Sequence, residues 1–286
     1  VTPATTVLEQ VSVKKPRASR PEMVAIRLDR MTVQGSPFLP RIVPYHGESS
    51  AVLRESGANL VLVKDYRNTK LIRQLRAEGL WVMAEPPKPR AIDGSLIDRG
   101  QATLIPFGEE TSGVLCWYLR TQLTPERATK LFRWADQVRA ADRRYHRPVL
   151  ADVVGLEHLV SRHRILPAIS RKVIQTGYPL RLYSRWLADR RSRTRPGSLS
   201  WTWVWADSAP LVLEPEQIEL QVRAALATGF RGVGFWKTEP LDSERAGGRE
   251  RQLMIGLINR ELKLLEPWLS TSTLIGSLPV RIGRPL

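Results

Sequence analysis

Six carboxylates stand at or just past the ends of short apolar runs: Asp65, Glu85, Asp152, Asp207, Glu239 and Asp242. Two carboxylates brought together can share acid and base duty if their surroundings push one pKa up and leave the other low. Asp207 and Glu239 are the foremost pair, because each follows a run ending in tryptophan. The competing reading is that these groups anchor loops by pairing with the many arginines. Trp117, Trp205 and Trp236 lie near the ends of such runs and could stack on flat ligands or fill a core. Trp201, Trp203 and Trp205 alternate, so in a strand they share one face. His46 follows another run and could meet a ligand hydroxyl, and Arg120 follows Leu119. His158 and His163 are five residues apart, which does not suit a pair of metal ligands on one helix face. No G-x-S-x-G, P-loop or zinc-finger spacing occurs. No metal or cofactor is implied.

Elements that could position these groups recur along the chain. Ser49–Ser56 reads as a short helix that stops at Gly57 and leads into Asn59–Val63. Thr69–Glu78 stops at Gly79 and leads into Leu80–Ala84. Pro215–Thr228 stops at Gly229 and leads into Phe230–Trp236. Glycine is favoured just past a helix because it adopts the left-handed conformation without a Cβ clash. Gly113–Leu119 is followed by Thr124 as an N-cap and Pro125 as a first helical residue. Strands are expected near 40–45, 59–64, 80–85, 113–119, 148–153, 165–169, 200–206 and 230–236. The runs are apolar throughout, as in parallel strands covered on both faces. Eight such strands alternating with helices predict an α/β fold, a closed (β/α)8 TIM barrel. An open doubly wound sheet competes, but no G-x-G-x-x-G turn follows any strand. Met23–Val33 alternates and is followed by a turn at 34–37, which predicts a short N-terminal strand or hairpin. The expected organisation is a flexible tail over 1–22, one barrel over 23–269 and a C-terminal tail or linker over 270–286.

Composition sets outer limits. The 286 residues, 42% of them hydrophobic, suffice for one barrel, which needs about 250. No run approaches the roughly 20 apolar residues of a membrane span. The single cysteine, Cys116, lies in an apolar run and reads as a buried thiol. The net charge of +16 fits either a polyanion partner or a solvated, arginine-rich exterior. Most basic residues are dispersed. Lys14–Arg17, Arg162–Arg164 and Arg190–Arg195 are clusters.

Gly35-Ser36-Pro37-Phe38-Leu39-Pro40-Arg41 resembles the G-x-P-F-x-P-R-G lead-in to the first strand of β-galactosidase-like, clan-A-like glycoside-hydrolase barrels. Glu55–Val61 resembles the helix–Gly–Ala–Asn step that follows it. Ala225–Asp242 resembles the eighth strand of bacterial barrel proteins with degenerate catalytic positions. The resemblance covers about residues 23–269. It implies an acid/base glutamate after the fourth strand and a nucleophilic carboxylate after the seventh, about 5–5.5 Å apart in retaining enzymes. Here the fourth strand ends Tyr118-Leu119-Arg120-Thr121-Gln122, and no carboxylate stands there. Guanidinium and amide groups cannot replace it as proton donors. Asp207 stands at the nucleophile position.

Three functions remain open from the sequence. The first is a glycoside-hydrolase-like barrel that binds carbohydrate, an acidic polysaccharide included, with hydrolysis by an unusual carboxylate pair as its stronger form. Asp207 and Glu239 would then be catalytic, and His46, Asp65, Glu85, Trp117, Arg120, Asp152, Trp205, Trp236 and Asp242 would line the substrate. The second is a catalytically silent barrel that serves as a structural module, with other domains of a larger, exported protein as partners. The third is a basic protein that binds nucleic acid or another polyanion.

Overall fold

The computed structural model describes residues 23–87, 104–119, 125–153, 155–169, 180–207, 213–243 and 248–272. Eight parallel strands close into a barrel: β4 (Arg41–Pro44), β5 (Leu60–Val63), β6 (Trp81–Ala84), β7 (Val114–Tyr118), β8 (Val149–Val153), β9 (Ile165–Ile169), β10 (Trp201–Trp205) and β11 (Val233–Trp236). They follow one another in chain order around the ring, and β11 pairs with β4 to close it. Each falls inside one of the eight segments expected from the apolar runs. The open-sheet alternative is excluded by that closure.

The helix–glycine–strand unit forms for the expected reason. Helices α1 (Ser50–Glu55), α2 (Thr69–Ala77) and α6 (Pro215–Ala227) are each followed by a glycine with positive φ: Gly57 at 69°, Gly79 at 78° and Gly229 at 89°. A left-handed residue there turns the chain straight back into the sheet. The side chains of Ser49 and Asn68 cap α1 and α2 by accepting from the N–H groups of Val52 and Leu71. Helix α3 (Pro125–Ala141) buries Leu131, Ala135 and Val138, with Phe132 half-buried. The N-cap expected for it, Thr124, lies outside the described residues. So does most of the crossover between β6 and β7, whose described part holds a single 3₁₀ turn at Glu109–Thr111. Helices α4 (Glu157–Arg162), α5 (Leu180–Ser192) and α7 (Gly248–Leu269) complete the outer layer. Among the described residues no helix is long and apolar enough to cross a membrane.

An antiparallel sheet precedes the barrel: β1 (Val24–Arg27), β2 (Arg30–Val33) and β3 (Ser36–Pro37). The turn between β2 and β3 places Gln34 and Gly35 at positive φ, the conformation that two-residue hairpin turns require. The tail expected at 1–22 lies outside the described residues, as does the tail expected at 270–286 from residue 273 on.

The barrel is filled by the tryptophans of β10. Trp203 lies 5.7 Å from the Tyr118 ring of β7 and 5.4 Å from the Trp236 ring of β11, and its Nε1 donates to Asp152 of β8 at 3.1 Å. A ring that reaches β7, β8 and β11 at once can only be inside. The face shared by Trp201, Trp203 and Trp205 is therefore the interior, not the helix layer. Room for these rings comes from the next strand: Trp203 is in register with Gly234, where an added Cβ would overlap the indole. Large and small residues thus alternate between neighbouring strands, as close packing of an interior requires.

Gly234→Ala should therefore overpack the barrel and cost about 1–3 kcal/mol, read as a lower urea midpoint at unchanged slope. An unchanged midpoint would contradict the interior placement of Trp203.

Candidate functional site

The C-terminal ends of the strands carry the chemistry in barrels of this kind. At that end the closing strands β4 and β11 stand side by side, and the chain after each turns inward. After β4, Gly47 takes a φ of 103°, and this turn swings Glu48 back beneath His46. After β11 comes Lys237. The Glu48 and Lys237 side chains form a buried ion pair, 0% and 4% exposed.

Glu48 is fully engaged. It accepts from Lys237 Nζ, from the His46 N–H at 2.7 Å and from the Leu241 N–H at 3.0 Å. Lys237 Nζ also donates to the Glu239 carbonyl at 2.9 Å. The neutral His46 ring donates its Nε2–H to the Lys237 carbonyl at 2.9 Å, since a carbonyl can only accept. Burial pulls the Lys237 ammonium below the usual lysine range, while the charge of Glu48 holds it up. Burial likewise lowers the His46 pKa, and the charge of Lys237 pushes the same way. Neither Glu48 nor Lys237 stood out in the sequence. Lys237 directly follows β11 and Glu48 lies four residues past β4, and they become neighbours only once β11 is placed beside β4.

Asp207 and Glu239 do come together. Both line a small cavity of about 20 Å³ shared with Lys237, Ser243 and Arg251. Asp207 is buried and accepts from the Thr238 hydroxyl at 2.6 Å. Glu239 is half-buried and accepts from the Ser243 hydroxyl at 3.1 Å. The cavity is large enough for roughly one water, which needs about 10–15 Å³. Two acidic residues, Lys237 and Arg251 around one water-sized space can bind and orient hydroxyl groups, or polarise a water. Trp205 and Trp236 are in register just below, both nearly fully buried.

The remaining expected residues are scattered. Asp152 sits inside the barrel, held by Trp203 Nε1. Asp65 is exposed and accepts from the Arg67 N–H at 2.9 Å, a loop-anchoring contact. Glu85 is half-buried beside the end of β5, and Asp242 is exposed near Lys237. Trp117 is not at a surface. It points to the opposite face of β7 from Tyr118, with the Phe107 ring 4.5 Å away and the Arg147 guanidinium 4.7 Å over its own ring. Its indole is fully buried. Arg120 lies outside the described residues, as do Thr121 and Gln122. Cys116 is buried, and that burial pushes its thiol pKa up, which leaves it inert at neutral pH. Among the described residues no group of three or more His, Cys, Asp or Glu could hold a metal ion.

No family model matches the chain, and no curated protein matches it. Solved structures do. A β-glucuronidase from Ruminococcus gnavus, in complex with an N1-substituted uronic isofagomine, superposes with a TM-score of 0.53 at 12% identity. The match covers 75% of this chain and 45% of that one, so the chain spans less than half of that enzyme's length. A candidate α-L-fucosidase from Bacteroides thetaiotaomicron superposes with a TM-score of 0.50 at 8% identity, over 91% of this chain and 99% of that one. At these identities the likeness is one of fold: the chain has the (β/α)8 TIM barrel that these glycosidase structures also have.

The latch between β4 and β11 implies a pH dependence. Folded His46 resists protonation, while an unfolded histidine titrates near 6.5. Between those values the unfolded chain binds more protons, so stability rises with pH there. The His46 contribution is complete above about pH 6.5 and is lost as pH falls through the lowered folded value. His46→Gln should flatten the decline in urea midpoint between pH 7.5 and pH 5. Parallel profiles for the two proteins would show that His46 is not held neutral by its surroundings.

Proposed function

We propose that this protein binds carbohydrate at the C-terminal face of its barrel, around Asp207, Glu239 and Lys237. The observation that carries this reading is the convergence of two carboxylates and a buried ammonium on one small cavity, at the ends of neighbouring strands. Sugar hydroxyls both donate and accept, so a ligand-binding end that mixes carboxylates with an ammonium suits them. The cavity also has apolar lining from Ala206, Leu241 and Ile255, a common setting for a few fixed polar groups. The fold likeness to glycosidases agrees with this reading.

Hydrolysis is the stronger form of the same proposal. What favours it is that Asp207 and Glu239 share a cavity, so that either could act on a water or a glycosidic oxygen held between them. What opposes it is the fourth barrel strand, where Leu119-Arg120-Thr121-Gln122 brings no proton donor. We therefore assign binding as the function and treat Asp207 and Glu239 as the pair through which turnover would run. As a silent barrel within a larger protein, it would use the same face for recognition.

Binding should be measured by calorimetry against a panel of neutral and uronic oligosaccharides, with release from the matching aryl glycosides followed in parallel. The expected result is binding to at least one glycan, weakened tenfold or more by Asp207→Asn or Glu239→Gln. Turnover abolished by both substitutions would establish the hydrolytic form. Absence of both binding and turnover across the panel would overturn the proposal.

A further inference from the structure

A much larger cavity lies at the opposite end of the barrel, where the chain enters β8, β9 and β10. Its volume is about 690 Å³, within the range of ligand sites. The N-terminal hairpin forms one wall through Val24, Ile26 and Leu28. The other walls carry Arg139, Arg147, Arg164 and Arg195 against one acid, Asp142. That acid is already committed. Asp142 and Arg147 form a buried pair in which Asp142 also accepts from the Arg147 N–H at 2.8 Å. Arg139 donates to Asp136 at 2.8 Å and to the His163 carbonyl at 2.6 Å. Arg164 and Arg195 are exposed, and among the described residues no carboxylate pairs with either. A second cavity of about 470 Å³ shares Arg195 and Pro196 with the first and adds Arg162, Arg193 and His158. The two form a continuous basic track.

Two further observations single out this track. Four non-glycine residues among those described adopt positive φ, and three of them, Leu28, His146 and Arg164, line the larger cavity. Left-handed backbone is unfavourable for such side chains and persists where the surroundings or a function hold it. In addition, the like charge of Arg164 adds to burial in lowering the Arg139 pKa, so these cations are gathered at a cost. Residues 1–22 hold four Lys or Arg against two Glu, and residues 273–286 hold Arg281 and Arg284 with no acid.

We propose that this track binds a linear acidic polysaccharide, its sulfate or carboxylate groups seated on Arg164 and Arg195 with Arg139 and Arg162 alongside. Guanidinium forks match such oxyanions through paired N–H donors. The lining offers no Phe, Tyr or Trp on which bases could stack, and single-stranded nucleic acid binding relies on such platforms. A polyanion without bases is therefore the better fit. This site is on the opposite face from the Asp207 cavity and stands whether or not that cavity binds sugar.

The test uses the full chain with three probes: heparin fragments for sulfate, polygalacturonate fragments for carboxylate, and oligo(dT) for a base-bearing polyanion. The double variant Arg164→Asn/Arg195→Gln keeps a residue that tolerates the left-handed backbone at 164. Arg73→Gln/Arg260→Gln removes two exposed arginines from α2 and α7 as a charge-matched control. Expected is tenfold or greater loss of heparin or polygalacturonate affinity, with a shallower salt dependence, in the first variant and less than twofold loss in the control. Equal losses in both variants would show diffuse charge attraction and overturn the site. So would no binding of either polysaccharide, or tighter binding of oligo(dT) than of both. An unchanged thermal midpoint in the first variant separates lost binding from lost fold.

Discussion

A barrel of this kind depends on its closing seam, and here a buried ion pair holds that seam. Glu48 follows the first barrel strand and Lys237 the last, and they are 189 residues apart in the chain. Taking both charges out of water costs several kcal/mol each, so the pair persists only if the geometry and extra hydrogen bonds offset that cost. They do so here through the two backbone N–H groups that also point at Glu48 and the Glu239 carbonyl that accepts from Lys237. Near the other end of β4 a second contact fastens the seam. Arg41 pairs with Glu266 of α7 at 3.0 Å, and the Leu39 N–H donates to the same carboxylate at 2.7 Å. The two latches set where the loops after β4 and β11 can lie, and so where Asp207 and Glu239 meet.

The interior gives the seam something rigid to close on. Three tryptophans in alternate positions of β10 fill the barrel because β11 offers glycine where they need space. The apolar stack ends at Trp205 and Trp236, and the polar cavity begins one residue later, at Ala206–Asp207 and Lys237. Site and core are therefore adjacent layers of the same two strands. The basic track at the far end is built differently, from loops, helix ends and a hairpin wall, and its Arg164 and Arg195 are exposed.

The strand positions were legible because each apolar run is bounded by a physical stop. Gly57, Gly79 and Gly229 are left-handed residues whose role can be read from their place after a helix. The Trp201-Thr202-Trp203-Val204-Trp205 alternation announced a shared face but not which one. Interior and helix layer look alike until the register with Gly234 is known. Asp207 and Glu239 were legible as neighbours because consecutive barrel strands are adjacent. Glu48 and Lys237 were not, because a lone charge after an apolar run looks like any solvated residue, and only closure of the ring brings them together. Trp117 misled for a related reason. Nearness to a strand end does not tell which way a side chain points, and alternation from Tyr118 turns this one outward beneath Phe107.

The central claim is that ligand meets this barrel at the seam's C-terminal end. Hydrogen–deuterium exchange with and without a bound oligosaccharide tests it most directly. The account predicts slower exchange on sugar binding in the amides of 45–48, 206–207 and 237–243, with the strands below unchanged. Protection confined to other parts of the barrel, with these segments unaffected, would contradict it.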